Sequence, residues 1–157
     1  MNAPIIVPTE RVLRLTRLFD APRELVWAAW TDSSHAARWW GPRHHPAVHV
    51  EIDARVGGKW RICLRGVQDG RELWHGGEFR EVVRPERLVL TFAWEAGAGP
   101  EEENLVTISF AEEGNRTRMS FLQEPFVSRD EREGHAEGWI STFDRLDEAL
   151  IRIASNE

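Results

Sequence analysis

The hydrophobic period of this chain changes along its length. From Arg11 to Phe19, Val12 and Arg14 alternate against Leu13, Leu15 and Arg17, which predicts a first strand. Asp20-Ala21-Pro22 then opens a helix, with a capping aspartate and a proline in the first turn. Its apolar stripe is Val26, Trp27 and Trp30. Asp32 or Ser33 caps a second short helix running to about Trp39, stopped by Gly41-Pro42. From about Pro46 to Gln123 the pattern predicts strands. Val48, Val50 and Ile52 alternate with His49, Glu51 and Asp53, and Gly57-Gly58 breaks the run. Trp60, Ile62 and Leu64 begin the next strand, Asp69-Gly70 turns it, and residues 73–83 follow. Arg84-Pro85-Glu86 is a turn, because proline presets its second position. Leu88, Leu90, Phe92 and Trp94 form a period-two face, and a flexible loop, EAGAGPEEE, separates it from Val106, Ile108 and Phe110. Glu113-Gly114-Asn115 makes another hairpin that returns through Met119 and Phe121. The end of the chain switches period: Trp139, Phe143, Leu146, Leu150 and Ile153 mark one face of a long helix starting near Ser128 or Asp130.

One strand, two short helices, six meandering strands and a long terminal helix predict an α+β domain with a curved, seven-stranded antiparallel sheet. Residues 1–10 read as a flexible arm with Pro4 and Pro8, and 11–155 as a single domain. A curved sheet meeting one long helix seldom closes its core completely, so a ligand-sized gap between them is expected.

Composition narrows the picture. The chain has 157 residues, 41% hydrophobic and 29% charged, with a formal charge of −6, which suits one globular domain and disfavours nucleic-acid binding. No apolar run approaches a membrane span and the N-terminus lacks a basic signal region. The single cysteine, Cys63, fits a reducing, cytoplasmic compartment. Eight tryptophans and no tyrosine supply large flat apolar surfaces, for a thick core or an aromatic-lined pocket.

The segments FDAPRELVWAAWTD, ARWWGP, DARVGGKWRI, GEFREVVRPERLVLTF and GWISTFDRLDEAL, in this order over roughly residues 11 to 153, resemble the START-like superfamily. Within it they are similar to the family named after the C-terminal domain of the Hsp90 ATPase activator. The resemblance implies a helix grip, in which a seven-stranded antiparallel sheet wraps a long C-terminal helix. It also implies an internal cavity for a small hydrophobic ligand. The eukaryotic activator carries an additional N-terminal domain for Hsp90 binding, for which this chain has no room, so an Hsp90-type partner is disfavoured.

Parity sends Trp60, Phe79, Phe92, Trp94 and Phe121 toward the long helix, with Trp139 facing them from it. Three polar residues, His75, Gln123 and His135, share that inward parity and would orient a polar group of a ligand. These nine residues are the candidate ligand site. Gly138 inside the helix leaves room for a ligand or, more commonly, for close packing. His44 and His45 should point to opposite faces of an extended chain and His49 to solvent, so no metal set is expected. Trp39, Trp40 and the WWGP element read as scaffold. No serine nucleophile elbow, phosphate loop or dinucleotide fingerprint is present, and no cofactor is expected. Binding of a small hydrophobic or aromatic ligand is therefore the leading expectation. Cyclase, hydrolase or isomerase chemistry on such a ligand is the alternative, with His75 or His135 as general base. Exposed strand edges or tryptophans would permit a homodimer.

Overall fold

The computed structural model describes residues 9–99 and 102–155. Most of the expected N-terminal arm, and Pro100 and Glu101 of the EAGAGPEEE loop, lie outside the described residues. Thr9–Arg11 form a 3-10 turn that leads into β1 (Leu13–Phe19). Two helices follow, α1 (Arg23–Thr31) and α2 (Ser33–Ala36). Six strands come next: β2 (Ala47–Ile52), β3 (Lys59–Arg65), β4 (Glu72–Val83), β5 (Arg87–Trp94), β6 (Asn104–Glu113) and β7 (Arg116–Glu124). The chain ends in α3 (Arg129–Ser155). All strand pairs are antiparallel, in the order β1-β7-β6-β5-β4-β3-β2. The architecture is the expected α+β helix grip, a curved open sheet with a long C-terminal helix.

The periodic face of α3 enters the core: Trp139, Phe143, Leu146, Leu150 and Ile153 are buried. Ser128 starts this helix by accepting the Glu131 N–H on Oγ at 3.2 Å, while the Glu131 carboxylate accepts from the Val127 N–H at 3.1 Å. Opposite it, the inward parity of the sheet holds, with Trp60, Ile62, Leu64, Phe79, Leu88, Leu90, Phe92, Met119 and Phe121 all buried.

Local chemistry moved several boundaries. Helix α1 begins after Pro22 without a side-chain cap, so Asp20 does not cap it. Asp32 caps α2 as expected, accepting from the Ser34 and His35 N–H groups. The helix nevertheless ends at Ala36 rather than Trp39, because Arg38 and Trp39 donate to His35 and Ala36, three residues back, and tighten the chain into turns. Val48 is 47% exposed rather than inward, because the β2–β3 register shifts between Ala47 and His49. His44 and His45 do not point apart: a turn closed by the His45 N–H on the Pro42 carbonyl brings their Nδ1 atoms to 2.6 Å. The Arg84–Pro85 bond in the β4–β5 turn is cis.

The segment between α2 and β2 is fastened to α3. Arg145, half-buried on the helix, donates to the carbonyls of Arg38, Trp40 and Gly41 at 2.8–3.2 Å. The Arg43 N–H donates to Ser141 Oγ at 3.0 Å, and its guanidinium pairs with Glu148. Gly41 sits at φ 91°, where a side chain is strained, and a Cβ there would lie 2.4 Å from the His45 carbonyl oxygen. These contacts hold Trp40 against the sheet.

Candidate ligand site

Between the N-terminal half of α3, strands β3 to β5 and the Trp40–His45 segment lies a cavity of about 240 Å³. The helix contributes Gly134, His135, Gly138, Trp139 and Thr142, and the sheet contributes Leu64, Leu73, His75, Phe92 and Trp94. Trp40, His44 and His45 close it from the third side. The space exists because Gly134 and Gly138, one turn apart on α3, present no side chains. A Cβ added at either would meet nothing within 4 Å. Gly138 therefore leaves open room and does not serve close packing.

Two tryptophan–histidine hydrogen bonds organise the walls. Trp40 Nε1–H donates to His75 Nε2 at 3.1 Å, and Trp94 Nε1–H donates to His135 Nε2 at 3.1 Å. An imidazole nitrogen that accepts carries no proton, so each neutral ring bears its hydrogen on Nδ1. His75 is only 1% exposed. Burial pushes the His75 pKa down to about 3, helped by repulsion from a charged His135 and opposed by the Leu73 carbonyl. Burial alone lowers His135 to about 4. Both rings are neutral at pH 7. Aromatic rings pack around both: His75 lies 4.7 Å from Trp94 and 5.1 Å from Phe92, centroid to centroid, and His135 lies 4.9 Å from Phe126.

Five of the nine candidate residues line this cavity: His75, Phe92, Trp94, His135 and Trp139. The other four lie elsewhere. Gln123 is fully buried behind the wall, where its Oε1 accepts from Trp139 Nε1–H at 2.9 Å and its Nε2 donates to Asn104 Oδ1 at 3.0 Å. It orients Trp139 and does not face the cavity. Phe121 packs on Trp139 with centroids 4.7 Å apart, also behind the wall. Trp60 donates to the Thr91 carbonyl at 3.0 Å, and with Phe79 it borders a void of about 10 Å³ on the other side of Trp40. Parity fixed the face these residues occupy but not their position along it.

Sequence reasoning missed Trp40, His44, His45 and Thr142. The first three sit in turns, where no period reports direction. Thr142 carried a usable signal, lying one helical turn beyond Gly138 on the same face. Trp40 also belongs to a contiguous aromatic cluster, 5.5 Å from Trp30, 5.6 Å from Trp60 and 5.6 Å from Trp139. Among the described residues no three His, Cys, Asp or Glu side chains gather as a metal site requires, and no helix is long and apolar enough to cross a membrane.

The family described as "Activator of Hsp90 ATPase homolog 1-like protein" matches residues 20–150. Solved structures of the same fold include a protein from Chromobacterium violaceum, at 28% identity and a TM-score of 0.82, covering 89% of this chain and 96% of that one. A protein from Nitrosomonas europaea matches at 22% identity and a TM-score of 0.79, covering 95% and 99%. The AHSA1 protein from Silicibacter pomeroyi matches at 22% identity and a TM-score of 0.79, covering 93% and 99%. The last two likenesses show the fold alone. The comparison with curated proteins finds no match.

Proposed function

This chain belongs to the family of Activator of Hsp90 ATPase homolog 1-like proteins, and from that premise we propose that it binds a small hydrophobic or aromatic ligand in the cavity beneath α3. The START-like fold is a ligand-binding architecture. The observation that carries the reading is the empty face of α3 at Gly134 and Gly138, opposite Phe92 and Trp94 of the sheet. Glycine inside a helix costs roughly 1 kcal/mol relative to alanine, and here that expense maintains open space.

The volume sets the ligand's size. An apolar cavity of roughly 150 Å³ holds benzene, and drug-sized ligands need about 300 Å³ or more. A cavity of about 240 Å³ suits one substituted ring or two fused rings. Burying about 150–250 Å² of such a ligand gains about 4–6 kcal/mol. That corresponds to dissociation constants of roughly 0.05–1 mM before polar contacts are added.

Proton-transfer catalysis has His75 and His135 on one cavity in its favour. Against it, both Nε2 lone pairs are occupied by indole N–H groups, and burial makes both rings weak bases. Binding is the better-supported reading.

The test is a titration of intrinsic tryptophan fluorescence with one- and two-ring aromatics and short fatty acids, in the wild type and in Gly138→Leu. The wild type should respond saturably, because Trp40, Trp94 and Trp139 line the cavity. The leucine should fill the space and abolish the response while leaving the circular dichroism spectrum intact. A wild type silent to the whole panel, or an equal response in the leucine variant, would sink the proposal.

A further inference from the structure

We propose that the chain has a second binding site, a cavity on the C-terminal half of α3 in which four arginines receive a doubly charged phosphate group. It is separate from the aromatic cavity and stands or falls without it. The cavity measures about 540 Å³ and is lined by Arg38, Arg43, Arg145, Glu148, Ala149 and Arg152. The last four recur at helical spacing on one face of α3. Arg38 and Arg43 come from the segment between α2 and β2. Between them, Trp40, Gly41 and Pro42 line the aromatic cavity instead.

Charge is what sets this place apart. Four guanidiniums meet a single carboxylate here, in a chain whose net charge is −6. Elsewhere Arg17, Arg61, Arg65 and Arg118 each pair with a carboxylate. In the cavity Arg43 pairs with Glu148, while Arg38, Arg145 and Arg152 have no ion pair among the described residues. Arg145 is held by the carbonyls of Arg38, Trp40 and Gly41, which fix its guanidinium but carry no net charge to offset it. Two of the four cations are therefore already positioned, Arg145 by those carbonyls and Arg43 by Glu148 and by its N–H on Ser141 Oγ. The excess is felt by groups of both signs. The Arg43 hydrogen bond and the charges of Arg43, Arg152 and Arg145 hold the Glu148 carboxyl below its ordinary range, with burial opposing. Burial and the charge of Arg43 push the Arg145 guanidinium down, with Glu148 opposing.

The donor type selects the anion. A planar guanidinium presents paired N–H groups that match two oxygens of a phosphate, and a phosphate has oxygens enough to engage more than one arginine at once. A single carboxylate satisfies one guanidinium and leaves the remaining excess in place. Four arginines confined to one cavity are too few to track a nucleic-acid backbone, which needs a basic stripe. The one apolar lining residue is the small Ala149, so the space holds a phosphate group together with part of the molecule that carries it.

The experiment titrates inorganic phosphate into the protein at constant ionic strength, with chloride as the compensating anion. Binding is followed by ¹H–¹⁵N correlation of the arginine Nε–H groups. The wild type should saturate, with the resonances of the cavity arginines moving together. Arg38→Gln and Arg152→Gln, both at exposed positions, should each weaken binding roughly tenfold, the effect of one charge-assisted hydrogen bond. Glu148→Gln should tighten it roughly fivefold, the interaction of two unit charges at contact distance in water. Arg80→Gln removes an exposed charge from β4, outside the cavity, and should leave the affinity unchanged. Sedimentation with vesicles of phosphatidylcholine, with and without phosphatidate, separates the sources of the group. Phosphate binding together with phosphatidate-dependent sedimentation supports the site and assigns its phosphate to a lipid surface. Phosphate binding without sedimentation supports the site and assigns it to a soluble phosphate ester. A wild type that does not bind phosphate overturns the proposal, as do Arg38→Gln and Arg152→Gln variants that bind it as the wild type does. A loss in Arg80→Gln equal to theirs overturns it too, because overall charge would then account for the binding.

Discussion

Trp40, from a turn after α2, and His75, from the first half of β4, share one buried hydrogen bond of 3.1 Å across 35 residues of sequence. That bond ties the loop over the cavity to the cavity's wall and fixes the tautomer of the imidazole. Trp40→Phe removes the donor while keeping most of the ring. It should destabilise the protein by about 1–3 kcal/mol, the effect of orphaning a buried acceptor. It should also raise the His75 pKa from about 3, because the indole bond favours the neutral ring alone. Urea unfolding measures the first effect and a titration of the His75 Cε1–H resonance the second. An unmoved titration would show that Trp40 does not hold the tautomer.

Acid should weaken the fold earlier than surface carboxylates can explain. His75 and His135 are held near 3 and 4 in the native protein, below the ordinary 6.5. Between pH 6.5 and those values the unfolded chain binds protons that the native chain refuses. Stability is therefore full above pH 6.5 and falls as pH drops through the window. By pH 5 each histidine should have removed roughly 2 kcal/mol. The carboxylates of Glu95, Glu113 and Glu148 are lowered by hydrogen bonds to Arg61, Arg118 and Arg43, so their contribution is lost only at lower pH. Urea midpoints at pH 7, 6 and 5 should decline in the wild type and flatten in a His75→Phe, His135→Phe double variant. A wild-type profile already flat from pH 7 to 5 would contradict neutral burial of these rings.

How much of this was readable beforehand depends on the backbone each residue occupies. Where residues sit in regular elements, side-chain direction follows from period, and the whole inward face from Trp60 to Phe121 was legible. Period gives the face of a strand and not the distance along it, which is why Gln123 and Phe121 grouped with cavity residues although they stand behind Trp139. In turns the period vanishes. Trp40 and the His44–His45 pair owe their directions to Arg145 and Ser141 on a helix about a hundred residues later. No local pattern encodes such contacts. The β2 bulge that turns Val48 outward is likewise a property of the pairing with β3 and not of β2 alone.

Gly134 and Gly138 give a prediction with an unusual sign. A Cβ at either position meets nothing within 4 Å, so alanine gains helix propensity without a clash. Each substitution should stabilise the protein by about 0.8–1 kcal/mol, raising the melting temperature by about 2–4 °C for a chain of this size. Calorimetry of the two single variants checks it. Had these glycines served close packing, alanine would lower the melting temperature.

The bonds from Trp139 through Gln123 to Asn104 define the last prediction. Gln123→Leu keeps the volume roughly but strips the acceptor from Trp139 Nε1–H and the donor from Asn104 Oδ1, both buried. Each orphaned group costs about 1–3 kcal/mol, and Trp139 loses the contact that sets its angle at the cavity wall. Ligand affinity should therefore fall together with stability, although Gln123 does not line the cavity. Trp139→Phe in the same background removes the orphaned indole N–H, so the double variant should be less destabilised than the sum of the two single variants. Urea unfolding of the four proteins in that cycle measures the coupling. Strict additivity would mean that Gln123 fills space and nothing more. A coupling above about 1 kcal/mol would make it the residue that positions Trp139.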